Sequence, residues 1–120
     1  MAQRKLNSGT RQFVREYREE LVKLLSEASE GAVEAERTVS SLQSQLEALE
    51  TSRQGLEVLY SEFDASCMDV QNMMVHMDHQ IELAKRNLRS AETRLQEARL
   101  FLEETKSYVE QQSTKIRVLD

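Results

Sequence analysis

A seven-residue ladder of apolar side chains holds one phase from Val39 to Leu119, and no proline interrupts the chain at any point. A sustained heptad of this kind specifies an α-helical seam that must close against another helix. With Val39 as position a, the a series is Val39, Leu46, Arg53, Tyr60, Cys67, Met74, Ile81, Leu88, Leu95, Leu102, Val109 and Ile116. The d series is Leu42, Leu49, Leu56, Phe63, Val70, Met77, Ala84, Ala91, Ala98, Thr105, Gln112 and Leu119. Only Arg53, Thr105 and Gln112 break the apolar rule over these 24 positions, although just 39% of the chain is hydrophobic. Chance does not produce such phasing.

The rest of the composition points the same way. A chain of 120 residues with 31% charged side chains, 5% aromatic and no tryptophan has little with which to fill a globular core. Its core is a stripe, and the fold class expected is all-α, an elongated coiled coil. Residues 1–9 read as a flexible arm and residues 10–30 as a short amphipathic helix, capped at Thr10 and carrying Val14, Tyr17, Leu21, Leu24, Leu25 and Ala28 at helical spacing. Counted through Leu24, the apolar steps to Ala28 and Ala32 are both of four, a stutter beside Gly31. Glycine is the commonest residue just past a helix end, so a kink or turn is expected near residues 29–32.

From there residues 31–120 form the coiled-coil segment, read as one long helix over about 33–118. Its stretch from 39 to 119 would span roughly 120 Å. The phase argument favours this reading, because a loop between two helices has no reason to preserve the heptad. The alternative is an antiparallel helical hairpin turning near residues 64–69. It draws support from Ser66 and Asp69, spaced as a capping box, and from charge.

Charge comes in blocks. Residues 1–23 hold six Lys or Arg against three acids, residues 24–84 two against twelve, and residues 85–117 eight against five. Folding the chain near residue 66 would lay the acidic stretch Glu34 to Glu50 beside the basic stretch Lys85 to Arg99. In a parallel homodimer the flanking g and e positions would instead set Arg94 against Arg99, Gln80 against Lys85 and Gln45 against Glu50. Those flanks do not encode parallel self-pairing.

Positions g also carry Leu59, Met73, Phe101 and Tyr108, which widens the stripe beyond a two-stranded seam. Ala84, Ala91 and Ala98 at successive d positions, between Leu88, Leu95 and Leu102, let a neighbour approach closely. These features point to other helical polypeptides as partners in a hetero-oligomer. The candidate interface is the ladder above without Cys67, Thr105, Gln112 and Leu119, and with Arg53 set apart as a register residue. An arginine in the a series is costly unless its head reaches solvent or meets a polar partner.

Chemistry has few footholds. Cys67 is the one cysteine, so neither a disulfide framework nor a thiolate metal cluster is expected. His76 and His79 share a helical face but fall at positions c and f, away from the ladder. Gly9, Gly31 and Gly55 are too widely spaced for a phosphate loop. The basic third interleaves acids and has few aromatics, which argues against nucleic acid. Met68, Met73, Met74 and Met77 resemble an adaptable binding surface, although the seam accounts for Met74 and Met77. We expect no enzyme, no cofactor, no metal and no small-molecule substrate.

The longest strongly apolar run, Met73 to Val75, cannot cross a bilayer. Without a secretory signal or lipidation motif, the chain is expected inside the cell, in the cytoplasm, on the cytoskeleton or in the nucleus. The function expected is a structural subunit of an elongated heteromeric complex of cytoskeletal, kinetochore, axonemal or tethering type. Arg53 between apolar layers is similar to the central arginine layer of the membrane-fusion SNARE helices. That resemblance, carried by one residue, implies a vesicle-tethering or zippering component with Arg53 facing a polar layer in a four-helix bundle. Length and helical content also resemble prefoldin-like holdase subunits, which carry β-hairpins between their helices. Residues 51–70 show no alternating β-rich run to match.

Overall fold

The computed structural model describes residues 8–62 and 68–119, all of them helical. Helix α1 runs Ser8–Glu62 and helix α2 runs Met68–Leu119. The chain is an all-α antiparallel hairpin, the alternative that charge matching supported. Long uninterrupted helices suit a sequence rich in Ala, Leu, Glu, Gln, Lys and Arg. Asp69 in the first turn of α2 and Arg117 in its last turn complement the helix dipole.

The single helix over 33–118 is therefore replaced by two, and the rod of about 120 Å does not form. The ladder is divided between α1 and α2, and each half faces the other. Phase continuity failed as an argument because a seven-residue repeat is satisfied equally by a distant stretch of the same chain. The proposed turn, with Ser66 and most of residues 64–69, lies outside the described residues, as do Phe63 and Cys67. Residues 1–7 of the expected arm also lie outside them, whereas Ser8 and Gly9 already belong to α1.

The break near residues 29–32 does not occur. Gly31 sits inside α1 and has no positive φ, so it makes no left-handed helix stop. The stutter falls earlier. The non-exposed positions of α1 run Tyr17, Leu21, Leu25, Ala28, Ala32, Ala35 and Val39, so the consecutive steps of four are those from Tyr17 to Leu25. Leu24 points outward at 42% exposure while Leu25 is half-buried. Counting through Leu25 restores alternating steps from Leu21 to Tyr60. A stutter shifts the seam around the helix and leaves the backbone bonds intact.

Two compact units compose the chain, one formed by Met1–Glu34 with Gln96–Asp120, the other by Ala35–Leu95. The first, the terminal unit, packs Val14 and Leu21 with Ile116, supported by Tyr17 and Val109. The second, the central unit, packs Val39 with Ala91 and Leu95, supported by Ala35, Leu42 and Leu88. In the central unit, positions rise along α1 as they fall along α2, from Val39 with Ala91 and Leu95 through Arg53 with Asp78 to Tyr60 with Gln71, the signature of antiparallel pairing.

Candidate functional site

From Val39 to Ile116, every described residue of the ladder faces the seam. In the central unit Val39, Leu56, Ile81, Ala91 and Leu95 are buried, and Leu42, Leu46, Leu49, Tyr60, Val70, Met74, Met77, Ala84 and Leu88 are half-buried. In the terminal unit Ile116 is buried and Ala98, Leu102 and Val109 are half-buried. The residues assigned to a partner interface thus close within each unit on the chain's own second helix. The surface left for other molecules comprises the flanks and the outer faces, where Val33, Val58, Val75, Leu83 and Leu100 are also exposed.

The polar members of the ladder are accommodated individually. Arg53 donates from Nε to Asp78 Oδ1 across the seam at 2.7 Å. Its Nη1 lies 3.0 Å from Glu57 Oε1 one turn on, close enough for ionic attraction but not aligned for a hydrogen bond. Its side chain is only 19% exposed, so the aliphatic stem packs in the seam while the head meets two carboxylates at the edge. The hydrogen bond from Arg53, aided by its charge and opposed by partial desolvation, holds the Asp78 carboxyl below its ordinary range. The same pairing raises the Arg53 guanidinium further. Arg53 and Asp78 thus form a hydrogen-bonded ion pair between α1 and α2 within the central unit.

Gln112 and Thr105 serve the terminal unit. Tyr17 Oη donates to Gln112 Oε1 at 2.8 Å, and the Tyr17 and Tyr108 oxygens are 3.4 Å apart. Tyr17 has one hydroxyl hydrogen, used on Gln112, so Tyr108 is the donor to Tyr17. A d-position glutamine is tolerated because the opposite helix presents a phenol to it. Thr105, 9% exposed, turns its hydroxyl back to the Phe101 carbonyl at 2.8 Å. That leaves its methyl for the seam.

Beyond the seam, the helices leave large apolar side chains in solvent. In the terminal unit these include Phe13, Leu24, Phe101 and Tyr108; in the central unit they include Leu59 and Met73. A shallow groove of about 300 Å³ in the central unit is lined by Leu56, Asn72, Met73, His76 and Met77. His76 and His79 are exposed. Among the described residues, no group of three or more His, Cys, Asp or Glu is placed to hold a metal ion, and no helix is long and apolar enough to cross a membrane.

These features define the class, a heptad-seamed helical hairpin whose flanks remain apolar. Comparisons with protein-family models, with curated proteins and with solved structures find no match.

The heptad phase set by Val39 also extends back along α1: stepping backward from Val39 gives Ala35, Ala32, Ala28, Leu25 and Leu21, all non-exposed in the structure.

Proposed function

We propose that this chain is a non-enzymatic structural subunit of a heteromeric intracellular assembly, acting by helix bundling. The observation that carries the reading is that in each unit the seam is satisfied while apolar g-position side chains remain in solvent. Exposed apolar columns beside a closed seam are what a further helix would cover. Assemblies of cytoskeletal, kinetochore, axonemal or tethering type use such rods to set spacing and register, and that is the role we assign here. Arg53 already has polar partners on its own chain, which does not favour the SNARE-like alternative. The absence of strands among the described residues lends nothing to the prefoldin-like one.

Residue-level crosslinking of the chain in its native cell extract tests the proposal. The expected result is a set of links at heptad spacing from the exposed flanks to helical segments of other polypeptides, alongside links near residues 40 and 92 within the chain. Purely intrachain links, together with a monomeric mass by light scattering in extract and when purified, would overturn it.

A further inference from the structure

In the terminal unit, the Tyr17 and Tyr108 contact identifies which edges of α1 and α2 lie side by side. Tyr108 is a g position, and Tyr17, a seam residue ahead of the stutter, stands one and two heptads before the g positions Leu24 and Gly31, so those two and Phe101 on α2 border the same flank. Phe101 is 58% exposed, Tyr108 46% and Leu24 42%. Phe13, stacked on Tyr17 with centroids 6.3 Å apart, extends the column at 65% exposure.

Just outside this apolar column, at the c positions, stand Glu20 and Glu27 on α1 and Glu97 and Glu104 on α2, all exposed. Lys115 is the basic residue at the column's α2 end, while Arg99 and Lys106 occupy e positions on the opposite flank. A merely solvated helix surface mixes its signs around the circumference. Here acids rim the apolar side.

Gly31 supplies an independent clue. A glycine within a helix is unfavourable relative to alanine, and a Cβ built at Gly31 would meet nothing within 4 Å, so nothing in this chain requires the glycine. Its place on the flank lets another backbone approach closely.

We infer that this flank docks one further helix, an amphipathic partner segment whose apolar stripe is bordered by lysine or arginine. The inference rests on the bundling reading and names the partner's chemistry. Charge complementarity selects this occupant over a second copy of the chain. A two-fold contact through the same flank would set the rim of Glu20, Glu27, Glu97 and Glu104 on one copy against the same acidic rim on the other, and like charges across an interface are disfavoured. The column from Tyr17 to Gly31 extends about 21 Å along α1, so two to three heptads of partner suffice.

The probe is a fluorescent synthetic helix of about 21 residues with leucine at a and d and lysine at e and g, compared with a twin carrying glutamate at e and g. Anisotropy with the full chain should show the lysine helix binding at least about tenfold more tightly, with affinity falling as salt rises. Phe101→Ser should weaken it about tenfold or more by removing an aromatic anchor, and Gly31→Gln should do the same by filling the approach. Circular dichroism should show both variants as helical as the parent, because neither site lies in the seam.

Equal binding of the two helices, or lysine-helix binding untouched by both substitutions, would overturn the inference. So would a homodimer that Phe101→Ser or Gly31→Gln dissociates, since a second copy would then be the occupant. Failure here with heteromeric crosslinks intact removes only the flank assignment; binding here without such crosslinks removes only the scaffold role.

Discussion

Replacing Gly31 by alanine separates two structures by the sign of its effect. If Gly31 ended a helix in the left-handed conformation, alanine would bring a Cβ penalty and destabilise by about 1 kcal/mol or more. In the structure Gly31 is an interior residue of α1 with no positive φ. Added Cβ atoms at Gly31 and at Gly55 would meet nothing within 4 Å, so neither clash nor packing enters. What remains is propensity, which favours alanine over glycine by about 0.8–1 kcal/mol. For a domain of this size that corresponds to a rise in Tm of about 4 °C. Gly55→Ala should behave alike, and the pair, separated by about 36 Å along one helix, should add to about 2 kcal/mol. Thermal and urea unfolding followed by circular dichroism at 222 nm reads the change. Repetition at several protein concentrations keeps any association from mimicking it. A fall in stability for Gly31→Ala would refute the continuous helix and restore the turn.

Leu21, 2% exposed, and Val22, 67% exposed, are adjacent on α1. Leu21→Ala removes three buried carbons and should cost about 2–3 kcal/mol, the lower part of the usual range because a two-helix seam can relax inward. Val22→Ala should change stability by less than about 0.5 kcal/mol; equal effects in urea unfolding would contradict the seam. The Asp78 carboxyl, ordinarily near 3.8, should titrate below that value by NMR and return toward it in Arg53→Gln. A carboxylate with a depressed folded value stabilises above its unfolded value, and the contribution is lost as pH falls through the folded one. Acid unfolding below about pH 3.8 should therefore be less steep in Asp78→Asn; an unchanged profile would show the pair to be absent in solution. Thr105→Val should leave stability within about 1 kcal/mol of the parent, because the lost hydroxyl bond is internal to α2. A larger loss would mean that Thr105 has a partner on α1.

Much of the fold was legible in the ladder, and the illegible part had definite causes. The a and d series named the seam because burying one stripe is the only way a chain so rich in charge can remove apolar surface from water. Gly31 misled because glycine in αL and glycine in αR look alike in sequence, and the choice between Leu24 and Leu25 moved the stutter by a full heptad. Gln112 reads as a defect because its partner, Tyr17, is invisible without the register, whereas Thr105 is satisfied within α2 by the Phe101 carbonyl one turn back.

The sequence by itself determined that this protein is helical, that one stripe per helix is buried, and which side chains form that stripe from Val39 onward. Only the tertiary structure decided that the two halves of the ladder face each other within one chain. It also showed that Arg53 finds Asp78, and that the apolar flanks stay uncovered. The physical reason is that a heptad fixes the face a helix must bury but carries no information about where along the chain the covering helix begins.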